Sequence, residues 1–238
     1  MTVMTAFLRG WQDLLRPSIL KLVVLGIGLT ILLFIGLQTA IFWMIRLWLP
    51  GGVTLPWMGQ VQFAEILSWG SLALFPVLGF FLMAPVAAGF AGLFAENVAE
   101  AVEDVHYPQR RGTSLDFFDG LLESLAVVAA VFGVAVMTLL LTPFLGPLAP
   151  LLFYGANGWL LGREFFQMAA RRHLSETAAH DLRRRYSSRV TLTGVLVAVG
   201  LTIPLVNIAL PLLAAATFTH LFHIISGKAD PDARYRRG

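Results

Sequence analysis

Four long segments of the chain contain no aspartate, glutamate, lysine or arginine, and they constrain the fold more than any other feature. They cover residues 22–45, 66–95, 124–162 and 190–227. A helix needs about 20 apolar residues to cross a hydrocarbon core about 30 Å thick. Hydrophobic residues make up 57% of the chain and charged residues 13%, which is more apolar surface than a soluble domain of this length can bury. We therefore predict an all-α integral membrane protein, with residues 1–238 forming a single multi-pass domain.

The first two charge-free segments predict two long transmembrane helices, over 22–45 and 66–95. The first segment has the length of one crossing, whereas the second is long for one and indicates a tilted helix. Residues 22–45 are also too many for the core of a signal peptide, and no A-x-A-like cleavage site follows them. We interpret this segment as a helix that the protein retains.

The third and fourth segments are nearly twice the length of one crossing, and prolines mark their midpoints. These are Pro143, Pro147 and Pro150 in "TPFLGPLAP", and Pro204 and Pro211 in "IPLVNIALP". Proline interrupts a helix because it lacks an N–H group and clashes with the preceding turn. If these prolines form the turns, the arms 190–203 and 212–225 measure only about 21 Å at 1.5 Å per residue.

The distribution of basic residues predicts that both long segments are hairpins. Arginine and lysine collect on the cytoplasmic side of membrane segments. Residues 163–189 contain seven arginines, whereas 46–62 contains one. The simplest topology therefore places both termini, 96–120 and 163–189 in the cytoplasm and only 46–62 outside.

Residues 124–162 and 190–225 then become proline-turned hairpins that partly penetrate the membrane, and 228–238 is a polar tail. A proline turn at membrane depth must be buried in protein or face water. The turns therefore predict a homo-oligomer, a pore, or both, in contact with membrane lipids.

Several classes of function are excluded or disfavoured by the sequence. Without cysteine the chain has no disulfide, thiolate metal site or cysteine nucleophile. It also lacks the P-loop motif, the G-x-S-x-G elbow and H-E-x-x-H. We predict no enzyme activity, no cofactor and no metal site, although His220 and His223 lie three residues apart. The basic run at 183–186 borders a membrane segment, so we interpret it as lipid-facing and predict no nucleic-acid binding.

Four segments in this order resemble a known family over nearly the whole chain. They are "RGWQDLLRPSILKLVVL", "APVAAGFAGLFAENVAEAV", "TPFLGPLAPLLFYGANGWLLGREFF" and "IPLVNIALPLLAAATFTHLF". Together they resemble the CysZ-type sulfate permeases of the wider etoposide-induced 2.4 family. The resemblance implies two long transmembrane helices, two partly penetrating hairpins and an oligomer.

The same resemblance implies sulfate uptake across the bacterial inner membrane by an ATP-independent channel or permease that supplies cysteine biosynthesis. Sulfite and thiosulfate are further candidate substrates. The alternative is a membrane adaptor or assembly protein without transport activity of its own, as the eukaryotic side of the family suggests.

The family's N-terminal anion site follows a pattern of a proline, a small residue, an apolar residue and two arginines. This chain has, in order, Pro17, Ser18, Ile19, Leu20 and Lys21, so both arginines are replaced. We predict substrate binding by the backbone N–H groups of Ser18, Ile19 and Leu20, with Ser18 as the helix N-cap and charge from Lys21 and Arg16. The alternative is an interfacial anchor in which Lys21 reaches lipid phosphate.

A second candidate site surrounds "NGWLLGREFF". Gly158 and Gly162 allow another helix to approach closely, and ionisable residues near the membrane core often mark ion pathways. We predict that the ion path is lined by Arg163, Glu164, Asn157 and Glu100, with the two glutamates as partners of the arginine. The alternative is that Arg163 merely ends the apolar arm on the cytoplasmic side.

Overall fold

The computed structural model describes residues 2–48, 53–55, 59–61, 65–72, 86, 93–113 and 117–229. Its helices are α1 (Thr2–Leu14), α2 (Pro17–Trp48), α3 (described over 65–72), α4 (Ala95–His106), α5 (Phe117–Leu145), α6 (Ala149–Arg171), α7 (Glu176–Arg185), α8 (Ser187–Ala198) and α9 (Pro204–Ala229). Strands β1 (Val53–Leu55) and β2 (Gly59–Val61) form one short antiparallel ribbon. The predicted all-α class is confirmed.

Within the described ranges, three runs of helix are long and apolar enough to cross a membrane. They are Pro17–Trp48, Ala129–Arg171 and Val206–Gly227. The runs differ in the buried share of their most apolar 18 residues. This share is 22% in Pro17–Trp48 and 6% in Ala129–Arg171, but 89% in Val206–Gly227. The first two runs therefore leave most of their apolar side chains on the surface of the described chain, whereas α9 is the centre of the fold.

The chain reverses direction after the C-terminal end of α2, and α3 runs antiparallel to α2. Phe42 and Trp69 make an edge-to-face contact with ring centroids 6.1 Å apart, and Gln38 Nε2 donates to Ser71 Oγ over 3.3 Å. The ribbon of β1 and β2 lies in the connection between these helices. Of the predicted helix over 66–95, the structure describes 66–72, 86 and 93–95, and all of these are helical except Phe94, which lies in a turn. The rest of this segment lies outside the described ranges. Most of the predicted polar tail does as well.

The chain reverses between α5 and α6, so the third charge-free segment forms a helical hairpin. The N–H of Thr113, just before α5, donates to the carbonyl of Arg172, just after α6, over 2.9 Å. The turn is a 3₁₀ segment, Gly146–Leu148, in which Gly146 has φ of 51°, a conformation that glycine adopts without steric cost. Pro143 lies inside α5, before this turn. The depth of the hairpin in a membrane stays a prediction.

The second reversal differs from its prediction, because Pro211 lies inside α9 and not in the turn. The turn covers Val199–Thr202 and Ile203, and Pro204 is the first residue of α9, where proline costs no hydrogen bond. The second arm therefore has 26 residues, about 39 Å of helix, and not a short half-span. An internal proline costs about 3 kcal/mol, which the dense packing around α9 outweighs.

Glycines bring α6 and α8 into close antiparallel contact. A Cβ atom on Gly194 would overlap the carbonyl oxygen of Gly158, and one on Gly162 would lie 2.7 Å from the carbonyl oxygen of Val190. The predicted close approach at Gly158 and Gly162 is confirmed. Because backbone meets backbone here, neither helix can make room by rotating a side chain.

We expect Gly194→Ala to destabilise the protein by about 1–3 kcal/mol, the usual cost of overpacking. Gly155→Ala is the matched control, since a Cβ there meets nothing within 4 Å and alanine is the better helix former by about 1 kcal/mol. Thermal unfolding in detergent, followed by circular dichroism, compares the two variants. Equal melting temperatures would show that the α6–α8 contact is looser than described.

Candidate functional site

A cleft of about 390 Å³ lies between α6 and α7. Its lining is Arg163, Glu164, Gln167, Arg171, Glu176, His180 and Arg183. Gln167 Nε2 donates to the carbonyl of Glu176 over 3.5 Å, which fixes the two helices across the cleft. Three arginines against two carboxylates give the lining a net positive charge. We call this feature the arginine cleft.

Two arginines that line the cleft, Arg163 and Arg183, repel each other. Burial lowers the pKa of Arg183, and the positive charge of Arg163 lowers it further, while Glu164 acts in the opposite direction. Arg163 Nε lies 3.3 Å from Glu164 Oε1, so the predicted contact between these residues is present. Guanidinium groups present planar forks that match oxyanions, and an anion between Arg163 and Arg183 would relieve their repulsion.

The other two predicted path residues lie apart from this pair of arginines. Asn157 is fully buried; its Nδ2 donates to the Phe153 carbonyl over 2.9 Å, and its Oδ1 has no hydrogen-bond partner in the described part of the chain. Glu100 is exposed on α4. Its neighbours Glu96 and Glu103 do pair with an arginine, but that arginine is Arg172. A role of Asn157 or Glu100 in a path stays a prediction.

At the N-terminal candidate site the predicted N-cap is wrong. Helix α2 begins at Pro17, and the carbonyl of Arg16 accepts hydrogen bonds from the N–H groups of Ile19 and Leu20 over 3.1 and 2.8 Å. Proline is favoured as the first helical residue because its φ is already helical, which moves the cap from Ser18 to Arg16. Two of the three N–H groups proposed to bind an anion are therefore already bonded. Ser18, Leu20 and Lys21 are exposed, and substrate binding there stays a prediction.

Two buried carboxylates and four of the five histidines meet where α1, α4, α9 and the C-terminal end of α6 pack together. Asp13 accepts from His220 Nε2 at Oδ2 over 2.7 Å, and its Oδ1 lies 3.0 Å from His106 Nε2 and 2.8 Å from Arg16 Nε. His220 Nδ1 in turn bonds the Tyr107 hydroxyl over 2.9 Å. Both oxygens of Asp13 and both ring nitrogens of His220 are therefore satisfied.

Glu103 is the centre of the second half of this region. Its Oε2 accepts from the Gly112 N–H over 2.8 Å and from Arg172 Nη2 over 3.0 Å, while its Oε1 lies 2.8 Å from His173 Nε2 and 3.5 Å from His223 Nε2. Burial raises the pKa of Glu103, but its contacts with His173, His223, Arg172 and the Gly112 N–H outweigh burial and hold the pKa well below its usual range. The carboxylate is therefore charged at neutral pH.

Sequence spacing did not reveal this buried region because its members come from distant parts of the chain. The spacing of His220 and His223 relates them only to residues nearby in the sequence, whereas the carboxylates that they contact lie on α1 and α4. The available signal was the single acidic residue of α1, Asp13, next to the buried Leu14. Such a charge requires a partner from elsewhere.

Long helices with exposed apolar side chains, joined to a charged region rich in arginine and histidine, define a helical integral membrane protein. A family model described as Sulfate transporter CysZ/Etoposide-induced protein 2.4 matches residues 6–211. The chain belongs to this family, which is one of transporters and not of enzymes, and the resemblance seen in the sequence motifs is confirmed.

Two relatives are both named Sulfate transporter CysZ. The protein of Vibrio parahaemolyticus serotype O3:K6 (strain RIMD 2210633) is 28% identical, over 85% of this chain and 86% of its own length. The protein of Vibrio atlanticus (strain LGP32) is 27% identical, over 85% of this chain and 84% of its own length.

Proposed function

We propose that this protein takes up sulfate across the bacterial inner membrane as an ATP-independent channel or permease, and that the sulfate supplies cysteine biosynthesis. The observation that carries the proposal is the pair of like charges, Arg163 and Arg183, in a cleft at the end of the apolar run Ala129–Arg171. The names of both relatives point to the same substrate.

The chemistry of sulfate explains why an arginine cleft suits this function. Sulfate carries two charges and is strongly hydrated. Its passage through an apolar region without hydrogen-bond donors would therefore cost too much free energy. Charge-assisted hydrogen bonds from guanidinium groups replace part of its hydration. Glu164 and Glu176 lie in the same cleft and reduce its net charge, which keeps binding weak enough for release.

A genetic experiment tests uptake and its link to cysteine synthesis. In a bacterial strain that lacks its own sulfate permeases, production of this protein is expected to restore growth on sulfate. Growth on added cysteine is the control for general fitness. The adaptor alternative predicts no growth on sulfate, because an adaptor carries no flux of its own.

The proposed topology places both termini and 163–189 in the cytoplasm and the connection between α2 and α3 outside. Because the native chain has no cysteine, single cysteines report accessibility without background. A membrane-impermeant maleimide added to intact spheroplasts is expected to label a cysteine placed within 53–60 and to leave Ser175→Cys unlabelled. Equal labelling at both positions would contradict the hairpin topology.

We further propose a homo-oligomer in the membrane. The tip of the α5–α6 hairpin exposes large apolar side chains: Phe144 is 86% exposed and Leu151 70%. At membrane depth these side chains pack against lipid or a second copy, and a second copy would also shield the backbone of the turn at Gly146–Leu148.

A further inference from the structure

Glu103, His173 and His223 bring three metal-ligand side chains together. One ligand atom from each lies within 4.8 Å of the other two. His223 is the most informative member, because it is only 4% exposed. Its Nδ1 has no hydrogen-bond partner among the described residues, and its Nε2 has only a long contact of 3.5 Å with Glu103 Oε1. A buried polar group without a partner is costly, and each such group requires an explanation.

We propose that Glu103 Oε1, His173 Nε2 and His223 Nε2 bind a divalent transition-metal ion of the zinc type. Two histidines and one glutamate are an established zinc-ligand set that leaves a fourth position open. Zinc–ligand bonds of about 2.0–2.1 Å in tetrahedral geometry separate ligand atoms by about 3.3 Å. The Oε1–Nε2 distances of 2.8 and 3.5 Å lie on either side of this value.

The surroundings hold the three ligands in place. The His173 ring stacks on Phe222 with centroids 4.8 Å apart, and the His223 ring stacks on Tyr107 at 3.9 Å. The other carboxylate oxygen of Glu103 is held by the Gly112 N–H and Arg172, which directs Oε1 toward the histidines. Such outer contacts are the support that metal ligands usually have.

The local charge also favours a cation, despite the nearby arginine. Arg172 contacts both Glu96 and Glu103, so the three groups together carry a net charge of about −1 when the histidines are neutral. Arg110, which donates to Ser226, adds a positive charge near His223. The attraction for a cation therefore comes chiefly from the Glu103 carboxylate, which directly contacts both ligand nitrogens.

The neighbouring Asp13, His106 and His220 contain the same ligand types, and they serve as an internal comparison. There both carboxylate oxygens and both nitrogens of His220 already have hydrogen-bond partners. This cluster is explained as a structural network that joins α1, α4 and α9. The Glu103 cluster differs in His223, whose Nδ1 has no hydrogen-bond partner among the described residues and whose Nε2 has only the 3.5 Å contact with Glu103.

Titration of the full chain with ZnCl₂ tests the metal site without reference to transport. The protein is purified in detergent, freed of any polyhistidine tag and dialysed against a chelator that is then removed. Isothermal titration calorimetry is expected to show one zinc ion per chain. Co²⁺ is expected to give the visible absorption of a four-coordinate site, which disappears when Zn²⁺ is added.

Variants locate the metal. We expect His223→Gln and His173→Gln each to weaken zinc affinity at least about tenfold, since even outer residues of metal sites change affinity about 10–100-fold. His106→Gln, in the Asp13 cluster, and His180→Gln, at an exposed position, are expected to leave it unchanged. His173 is partly exposed, so His173→Gln and the wild type decide the matter even if His223→Gln does not fold.

Two results would overturn the proposal. One is the absence of saturable zinc binding by the wild type. The other is an equal loss of affinity in the control variants and in His173→Gln, which would indicate binding elsewhere. Sulfate transport can fail or succeed independently of both results, so the metal site and the proposed function are tested separately.

Discussion

Sulfate uptake into liposomes is expected to fall at least about tenfold in Arg163→Ala and in Arg183→Ala. Each variant removes one of the arginines that line the arginine cleft and repel each other there. A hydrogen bond to a charged group is worth about 1.5–3 kcal/mol, which corresponds to a factor of roughly 10 to 100. Uptake of radiolabelled sulfate at equal protein density in the liposomes measures the effect.

Arg184→Ala is the matched control for these variants, because Arg184 is on the same helix as Arg183 but is exposed and does not line the cleft. Its uptake is expected to stay near that of the wild type. A similar reduction in all three variants would indicate a general effect of surface charge. Unchanged uptake in Arg163→Ala would remove that residue from the sulfate path.

Arg172→Ala is expected to lower the stability of the folded protein by about 3–5 kcal/mol. It leaves Glu103, which is 1% exposed, without its charged partner, and removing one member of a buried ion pair has this typical cost. In a chain of this size the melting temperature falls by about 2–4 °C per kcal/mol. Thermal unfolding in detergent provides the measurement.

The control is Arg111→Ala, which removes an exposed ion pair with Asp104, a residue on the same helix as Glu103. In this pair Arg111 Nε lies 2.9 Å from Asp104 Oδ1. Exposed pairs contribute about 0–1 kcal/mol, so its melting temperature should stay close to that of the wild type. Arg172→Lys keeps the charge and is expected to recover part of the lost stability. If Arg172→Ala were as stable as Arg111→Ala, the buried network would not be a main support of the fold.

The sequence predicted the membrane class and the reversals of the chain because both depend on local composition. The charge-free segment 22–45 lies wholly within α2, and the prolines near Gly146 lie at or beside a real turn. The predicted turn at Pro211 is wrong because it rests on the local preference of proline alone. The packing of α9 decides that residue's conformation, and packing is a property of the whole fold.

In the candidate sites too, contacts between sequence neighbours were predictable, whereas contacts between distant parts of the chain were not. The Arg163–Glu164 contact joins sequence neighbours and was predictable. The helix start at Pro17 is also a local signal, but the predicted N-cap at Ser18 lies two residues after the observed cap at Arg16. Arg183 reaches the cleft only because α7 folds back along α6. Glu103, His173 and His223 meet through three separate parts of the chain, so no short spacing in the sequence records them.

Uptake of radiolabelled sulfate by liposomes that contain only this purified protein tests the central claim most directly. The account predicts saturable, ATP-independent accumulation of label down an imposed sulfate gradient, above that of protein-free liposomes. Uptake equal to that of protein-free liposomes, with the protein folded and inserted, would contradict the claim and favour an adaptor without flux of its own.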